Sequence, residues 1–242
     1  MTASPVEARG LVKRFGPLVA LSGVDLEVPA ASVLAVVGAN GAGKTTLLRL
    51  LAGLARPTRG SVRIGPRGGE RRRARGGVGY IGHATFLYPL LSARENLLFA
   101  ARLYRVADPA RRARELLVEH DLAGVAERPV GSFSRGLAQR LAIARGLVHD
   151  PLVVLLDEPF TGLDPGSADR LAAQIRGLRA GGRAVVLVTH DLGQAAALAD
   201  RAIVLMGGRI VHAAERPSAA DLAAAWPADD RGAVAPRDPL VG

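Results

Sequence analysis

The chain has 242 residues, no cysteine and a formal net charge of +10. Its length suits one compact domain, or one domain with an inserted subdomain, and the lack of cysteine excludes disulfides, thiolate metal sites and cysteine nucleophiles. Hydrophobic residues make up 49% of the chain, which excludes disorder throughout, and only 4% are aromatic, which disfavours binding of single-stranded nucleic acid by stacking.

The positive charge is carried almost entirely by arginine, because Lys13 and Lys44 are the only lysines. This richness in arginine, alanine and glycine is typical of a coding bias, so we predict no nucleic-acid partner. Arg67–Arg75 holds five arginines and is either a solvated loop or a surface that docks on a partner or on anionic lipid. Met1–Gly10 lacks the apolar core of a signal peptide, and no run approaches the roughly 20 apolar residues of a membrane span. If the protein acts at a membrane, we therefore expect a different chain to cross the bilayer.

The N-terminal part of the chain predicts mainly strands. Ala8–Val28 alternates apolar and polar residues about Phe15-Gly16-Pro17, which indicates antiparallel strands joined by a turn. Further strands are predicted at Ser32–Val37, Gly60–Ile64 and Val78–Ile81, and a helix at Thr45–Leu54.

The middle of the chain predicts helices alone. Ser92-Ala93-Arg94-Glu95 matches a capping box, in which the serine oxygen and the glutamate carboxylate each accept a backbone N–H at the helix start. Helices are predicted at Glu95–Arg105, Pro109–His120 and Leu137–Val148. Because strands flank this segment, we expect a helical subdomain, about residues 86–149, inserted into the domain.

Strands return in the C-terminal part of the chain. They are predicted at Leu152–Leu156, Ala184–Val188, Ala202–Leu205 and Arg209–Val211, the last two as edge strands, with a helix at Gly166–Arg179. Asp221–Trp226 predicts one or two helical turns, and a loose tail is expected beyond Pro227. We place a single domain at residues 1–215 and a short C-terminal tail at residues 216–242.

A glycine-rich loop joins the strand Ser32–Val37 to the next helix and matches G-x-x-x-x-G-K-[ST]. The loop consists of Gly38, Ala39, Asn40, Gly41, Ala42, Gly43, Lys44 and Thr45, with Thr46 next. Glycines let such a loop curl round a phosphate chain, and the amides of the following helix attract anions. We predict that the loop binds ATP, that Lys44 reaches the β- and γ-phosphates, and that the Thr45 hydroxyl binds Mg²⁺.

A second apolar strand ends in two carboxylates, Asp157 and Glu158. A buried strand rarely carries charge without a partner for it. Asp157 suits Mg²⁺, directly or through water, and Glu158 suits the residue that polarises an attacking water. With the glycine-rich loop, this strand indicates a P-loop NTPase, although the two motifs do not say which kind.

A third motif, Ser134-Arg135-Gly136 with Gln139 and Arg140, stands just before the acidic strand. Here the chain resembles the ATP-binding-cassette (ABC) ATPases, whose signature sequence lies at this position. A serine and a glycine before a helix offer a hydroxyl, an amide and the helix dipole to an anion, although a plain helix N-cap has the same composition. The resemblance implies that Ser134 and Gly136 bind the γ-phosphate held by the opposite subunit.

Other residues fit the same resemblance, which covers about residues 6–212. It implies that Asp164 belongs to the D-loop, that His190 contacts the γ-phosphate and that Phe15 stacks on adenine. The implied fold is α/β, a P-loop NTPase with a RecA-like core, an N-terminal antiparallel β subdomain and the inserted helical subdomain. The implied assembly is a homodimer of cassettes on separate integral-membrane subunits, peripheral to the cytoplasmic face of the inner membrane.

Two positions depart from the family pattern. Most members carry glutamine where this chain has His83, and Mg²⁺ prefers oxygen ligands. His83 is therefore either a transmission residue that acts through water or senses the nucleotide, or a passive substitute. Arg135 and Leu137 replace the commoner glycine and glutamine of the signature.

A short cassette with Gly82 and His83 at this position most resembles the haem exporter ATPase of the cytochrome c maturation system. In that group ATP hydrolysis drives release of haem from a periplasmic haem chaperone, so haem export for c-type cytochrome biogenesis is the function that the resemblance implies. The alternatives are the cassette of another exporter, for a drug, lipid or polysaccharide, and a non-transport cassette of translation or DNA repair.

Overall fold

The computed structural model describes residues 4–65, 77–82 and 84–226. The strands of this part of the chain are β1 (Val6–Phe15), β2 (Leu18–Val28), β3 (Ser32–Val37), β4 (Arg59–Ile64), β5 (Val78–Ile81), β6 (Val153–Asp157), β7 (Ala184–Val188), β8 (Arg201–Met206) and β9 (Arg209–Glu215). The α-helices are α1 (Lys44–Leu51), α2 (Ala93–Leu103), α3 (Pro109–Glu119), α4 (Arg135–Gly146), α5 (Pro165–Ala180), α6 (Leu192–Leu198) and α7 (Ala219–Ala225). The strands form one sheet of six and one of three.

The six-stranded sheet has the order β5-β6-β7-β3-β8-β9 and is parallel except for β9, which pairs antiparallel with β8. Every residue of β6 and β7 is buried, as expected of a parallel sheet covered on both faces. Alternate side chains enter opposite cores: Val154 and Leu156 lie in one hydrophobic cluster, and Val153 and Leu155 in another. The carboxyl ends of β6, β7 and β3 therefore lie side by side.

The three-stranded sheet is antiparallel, with β1 between β2 and β4. Its buried side chains, Leu11 and Leu21 among them, share one hydrophobic cluster with Leu47 and Leu48 of α1 and with Leu155 of β6. Burial of this apolar surface, worth about 25 cal/mol per Å², holds α1 against both sheets. The start of α1 is thereby fixed at the end of β3.

The segment between β5 and β6 contains α2, α3 and α4, together with short 3₁₀ turns at Ala123–Val125 and Val130–Ser132. Its core contains Leu97, Leu116 and Leu141, which pack in the same cluster as Leu156 of β6. The capping box predicted at Ser92 is confirmed, because the Ser92 hydroxyl accepts from the Glu95 amide and the Glu95 carboxylate accepts from the Ser92 amide.

The α/β fold class and most of the predicted elements are confirmed, and β3, β5 and β7 have the predicted bounds. One placement was wrong: β8 is not an edge strand, since it pairs with both β3 and β9. The helix α6 was not predicted. Arg67–Arg75, His83 and the residues after 226 lie outside the described residues, and the predicted domain limits stay predictions.

The helix α7 lies beyond residue 215 and has seven residues, about the two turns that were predicted. A capping box at Ser218 and Asp221 starts it two residues earlier than predicted. Leu222 and Trp226 are buried with Val37 of β3 in a third hydrophobic cluster. Residues 219–226 therefore belong to the packed part of the chain.

Candidate functional site

The glycine-rich loop curls tightly at the end of β3 because two of its glycines leave no room for a side chain. A Cβ on Gly43 would lie 2.5 Å from the carbonyl oxygen of Ala20, and the φ angle of Gly43 is 104°. A Cβ on Gly38 would collide with the carbonyl of Leu205. Gly41 also has a positive φ, of 81°, but a Cβ there would meet nothing within 4 Å.

The side chain of Lys44 folds back onto the first residues of the loop. The Lys44 ammonium donates to the carbonyl oxygens of Gly38 at 2.5 Å and Ala39 at 3.0 Å, and its nitrogen lies 4.0 Å from a carboxylate oxygen of Glu158. Burial lowers the pKa of Lys44, and the nearby charges of Glu158 and Asp157 act in the opposite direction. Gly43 caps α1 without any side-chain hydrogen bond.

Asp157 ends β6 beside the loop and is 2% exposed. The Thr45 hydroxyl donates to Asp157 Oδ1 at 3.3 Å, and the Tyr80 hydroxyl donates to Oδ2 at 3.4 Å. Burial raises the pKa of Asp157 above its usual range, opposed by the hydrogen bond from Thr45. Burial and the charge of Asp157 raise the pKa of Tyr80 to about 12, so the phenol stays a neutral donor at any physiological pH.

Glu158 is held in a left-handed backbone conformation, with φ of 52°. Its amide donates to the carbonyl of Val188 at 3.0 Å, and its own carbonyl accepts from Thr161 at 3.2 Å. Its carboxylate Oε2 lies 2.8 Å from His190 Nδ1 and accepts from the His190 amide at 3.3 Å. A non-glycine residue with positive φ is strained by about 1–3 kcal/mol and is concentrated at functional sites.

The structure thus brings together the residues predicted from the first two motifs and adds His190 to them. The loop residues from Gly38 to Thr46, together with Asp157, Glu158 and His190, cluster where β3, β6 and β7 end. Tyr80 is a member of this group that the sequence did not reveal, because a tyrosine within a predicted strand is usually a core residue.

The signature residues differ in their relation to this group: Arg135 and Gln139 line a cavity that Glu158 also lines, whereas Ser134 and Gly136 are not among its described lining residues. Ser134 is exposed and caps α4 by accepting from the Leu137 amide at 3.3 Å. Among the described residues, no hydrogen bond or ion pair joins Ser134 or Gly136 to the glycine-rich loop. Gly136 instead approaches the start of α5, where a Cβ would lie 2.7 Å from Ser167 Oγ.

Asp164, the predicted D-loop acid, caps α5 at that same place. Its carboxylate accepts from the Ser167 amide at 2.9 Å and from the Ser167 hydroxyl at 2.7 Å, and these bonds lower its pKa. Arg135 packs over Gly162 of the same loop, where an added Cβ would lie 2.6 Å from the guanidinium. The arginine that departs from the family pattern therefore joins the signature to the D-loop within one chain.

Phe15, the residue predicted to stack on adenine, lies on the surface. Phe15 ends β1 and is 48% exposed, with Lys13 Nζ 4.8 Å from its ring centre. A cavity of about 460 Å³ opens beside Glu158 and is lined by Gly82, Arg135 and Gln139 among others. His83 lies outside the described residues, so its predicted role gains no structural account.

Comparison with known proteins agrees with this geometry. The ABC transporter family model matches residues 21–161. The Nod factor export ATP-binding protein I of Burkholderia orbicola is 37% identical over 86% of this chain and 70% of its own length. The daunorubicin resistance ATP-binding protein DrrA3 of Streptomyces coeruleorubidus is 38% identical over 87% and 68%, and an aliphatic sulfonates import ATP-binding protein of Mesorhizobium japonicum is 38% identical over 87% and 79%.

Solved structures agree as well. The ATP-binding subunit of an ABC transporter superposes with a TM-score of 0.78 at 29% identity, covering 88% of this chain and 90% of the other. A dimeric ATP-binding cassette in a post-hydrolysis state with ADP and Pi superposes with a TM-score of 0.77 at 27% identity, covering 88% and 99%. This chain therefore belongs to the ABC transporter family, as an ATP-binding subunit with the ABC ATPase fold.

Proposed function

We propose that this chain hydrolyses ATP as the cassette subunit of an ABC export complex. The observation that carries the proposal is the cluster of Lys44, Glu158 and His190 beside a glycine-rich loop, since it places a phosphate cradle next to a carboxylate that can accept a proton. In this cluster the loop and the first amides of α1 hold the phosphates, and Lys44 neutralises part of their charge.

The oxygen donors of Thr45 and Asp157 suit Mg²⁺. In the part of the chain that the structure describes, no group of three or more histidine, cysteine or acidic side chains could hold a metal ion alone. Mg²⁺ is usually bound through one or two carboxylates together with substrate phosphates rather than by an all-protein cage, and the pair Thr45–Asp157 fits that pattern. The ion would supply positive charge at the β- and γ-phosphates.

Glu158 is the residue that we assign to the attacking water. It orients the water and takes its proton as the water oxygen attacks the γ-phosphorus, the bond to the β-phosphate breaks, and ADP and phosphate form. His190 holds the Glu158 carboxylate through the 2.8 Å contact, and we also assign His190 to the γ-phosphate.

A second copy of the chain completes the site in this proposal. Ser134 and Gly136 are separate from the loop of their own chain, and the related solved cassette is dimeric. A head-to-tail homodimer with two-fold symmetry would set the signature of each chain against the γ-phosphate of the other, with Asp164 at the interface. Phe15, exposed at the end of β1, is assigned to the adenine ring.

We propose that the two cassettes act on separate membrane subunits at the cytoplasmic face of the inner membrane. In the part of the chain that the structure describes, no helix has the length and apolar character needed to cross a bilayer. Two of the relatives reported above are named for export or drug resistance and one for import, which favours an exporter of a cargo other than haem.

Haem export stays the second candidate because of one feature, Gly82 followed by His83. The test is to replace Glu158 with glutamine in the native host and to stain membrane proteins for covalently bound haem. Normal levels of c-type cytochromes would reject haem export and keep the proposal of an exporter for another cargo. Selective loss of all c-type cytochromes would establish haem export.

The hydrolytic role is tested on the purified chain. We expect Glu158→Gln to lower the steady-state rate of phosphate release by about 10²–10⁴-fold, to retain ATP binding and to accumulate an ATP-dependent dimer on size exclusion. Glu127→Gln is the matched control, because Glu127 is exposed and pairs with Arg94 on the surface. Near-normal phosphate release by Glu158→Gln would remove Glu158 from the proposed role.

A further inference from the structure

The hydroxyl of Tyr80 reaches the phosphate site from β5, a strand that carries none of the predicted site residues. It donates to Asp157 Oδ2 at 3.4 Å, while the Thr45 hydroxyl donates to Oδ1 at 3.3 Å. The two oxygens of one buried carboxylate are thus held by two different elements, β5 and α1. Among the described residues, no other side chain donates to Oδ2.

The register of the sheet explains how a phenol reaches this carboxylate. Tyr80 pairs with Leu155 of the neighbouring parallel strand, so its side chain lies on the same face as Leu155 and as Asp157, two residues further on. Two residues of a strand span about 6.6 Å, which a tyrosine can bridge and a short polar side chain cannot. Tyr80 packs against the hydrophobic cluster that contains Leu155, so the ring is held by apolar contacts and its polar tip is left for Asp157.

Two neighbours fix the place of this phenol. A Cβ on Gly82 would lie 3.0 Å from Tyr80 Cε1 and 3.1 Å from the Tyr80 hydroxyl oxygen, so the main chain of Gly82 runs directly against the ring. Arg49, one helical turn after Thr45 on α1, brings a positive charge near the phenol. This charge favours the orientation in which the hydroxyl proton points away from Arg49 and toward Asp157.

The Asp157 carboxylate depends on such a donor for its orientation. Asp157 is 2% exposed, and a carboxylate withdrawn from water needs hydrogen bonds in place of the lost water. The terminal torsion of an aspartate is soft, so a carboxylate held at Oδ1 alone can rotate. A hydrogen bond at each oxygen removes that freedom and keeps Oδ1 beside Thr45.

We propose that Tyr80 is a positioning residue for the Mg²⁺ site, and that its hydroxyl fixes the Asp157 carboxylate so that Oδ1 is presented to the ion beside Thr45. Groups that hydrogen-bond a metal ligand orient that ligand, and their removal typically lowers metal affinity by about 10–100-fold. This inference rests on the proposed function, since it takes Thr45 and Asp157 to hold Mg²⁺, directly or through water.

The first experiment measures how strongly Mg²⁺ tightens nucleotide binding. The Kd of a fluorescent, non-hydrolysable ATP analogue is determined for the purified chain in excess Mg²⁺ and in EDTA, and the ratio of the two values is the Mg²⁺ effect. We expect Tyr80→Phe to keep the Kd in EDTA and to reduce the Mg²⁺ effect about 10-fold. A Mg²⁺ effect equal to that of the parent chain would overturn the inference.

Tyr88→Phe is the matched control. It removes the same hydroxyl from a side chain that is 50% exposed and packs edge to face on Phe99, so it should keep the Mg²⁺ effect of the parent. An equal reduction in Tyr88→Phe would refute the inference, because the effect would then not depend on the contact with Asp157.

Melting of the nucleotide-free variants separates positioning from a purely structural role. If the Tyr80 hydroxyl only stabilised the packing of β5 on β6, Tyr80→Phe would melt at a lower temperature and keep the Mg²⁺ effect of the parent. That combination would assign the phenol to internal structure and overturn the inference.

A second experiment observes the phenol itself. The chain has three tyrosines, so 3-fluorotyrosine labelling places a ¹⁹F probe on each, and Tyr80→Phe identifies the signal of Tyr80. When Mg²⁺ is added to the chain with bound ATP analogue, we expect the Tyr80 signal to move and those of Tyr88 and Tyr104 to stay. A bound cation is a large local charge, so a Tyr80 signal that does not respond would contradict the inference.

Asp157→Asn separates failure of this inference from failure of the proposed function. This variant removes the carboxylate itself and should abolish most of the Mg²⁺ effect. If Asp157→Asn kept the effect, the metal role of Asp157 and the inference about Tyr80 would both fail. If Asp157→Asn lost the effect and Tyr80→Phe kept it, the proposed function would stand and the inference alone would be refuted.

Discussion

Two regions of this chain are built in different ways. The phosphate side comprises the glycine-rich loop with Asp157 and Glu158, and the signature side comprises Ser134, Gly136 and Asp164. Lys44, 7% exposed, begins α1 after the loop that follows β3, and Asp157, 2% exposed, ends β6. The side chains of both strands are almost wholly buried. Ser134 is exposed, and Gly136 and Asp164 contact Ser167 rather than any phosphate-side residue. The comparison teaches that one side is shaped by the core of its own chain, whereas Ser134 on the other faces outward, as the proposed dimer requires.

The largest effect on the phosphate side is expected from replacing glycines of its loop. Gly43→Ala puts a methyl group 2.5 Å from the Ala20 carbonyl at a φ of 104°, so we expect a loss of about 3–4 kcal/mol in the free energy of unfolding. Gly41→Ala, at a similar positive φ in open space, should lose only about 1–2 kcal/mol. Urea unfolding measures both, and equal losses would show that the close approach is unimportant.

The contacts that hold α4, the helix after the signature, can be tested through the pH dependence of stability. His120 is 6% exposed, and its Nδ1 lies 3.1 Å from Gln174 Nε2 of α5, while its carbonyl accepts from Arg140 of α4 at 3.4 Å. Burial, with the charges of Arg112 and Arg140, lowers the pKa of His120 from 6.5 to about 4. Gln174 thereby links the signature side to the core through a neutral imidazole.

Because the unfolded chain binds this proton near pH 6.5 and the folded chain only near pH 4, stability is lost as pH falls through that window. The loss amounts to about 3 kcal/mol by pH 4. We expect His120→Gln to make the free energy of unfolding less dependent on pH between 7 and 4 in urea titrations. An unchanged pH dependence in this variant would contradict the assignment.

A smaller effect concerns Asp157. Its folded-state pKa is raised by burial, so stability that is present below the unfolded-state pKa near 3.8 is lost as pH rises through the folded value. At neutral pH the nucleotide-free chain should therefore be more stable as Asp157→Asn than as the parent, while phosphate release with Mg²⁺ falls. Thermal melting at pH 7 checks the first expectation, and a lower melting temperature for the variant would contradict it.

The sequence predicted that the glycine-rich loop, Asp157 and Glu158 lie together, because each motif is contiguous in the chain. The glycine-rich loop follows an apolar strand, Asp157 and Glu158 end another, and parallel strands bring such ends together without further information. The strand bounds of β3 and β7 were confirmed for the same reason, since both are wholly apolar runs except for Ser32.

Other features depended on tertiary pairing that no local pattern contains. β8 was expected at an edge because a glycine turn follows it, yet its pairing with β3 is set by long-range contact. The bond from Tyr80 to Asp157 and the packing of Arg135 over Gly162 join residues distant in the chain or on different elements.

The central claim is that each site takes its phosphate side from one chain and its signature side from another. The most direct measurement mixes two purified variants, Lys44→Ala and Ser134→Arg, and follows phosphate release from ATP. Ser134 is exposed, so its replacement costs about 1 kcal/mol of helix capping and leaves the fold intact. Each variant alone should be inactive, while the mixture should regain hydrolysis, since one site of the heterodimer keeps both intact sides. A mixture that stays as inactive as its components would contradict the account.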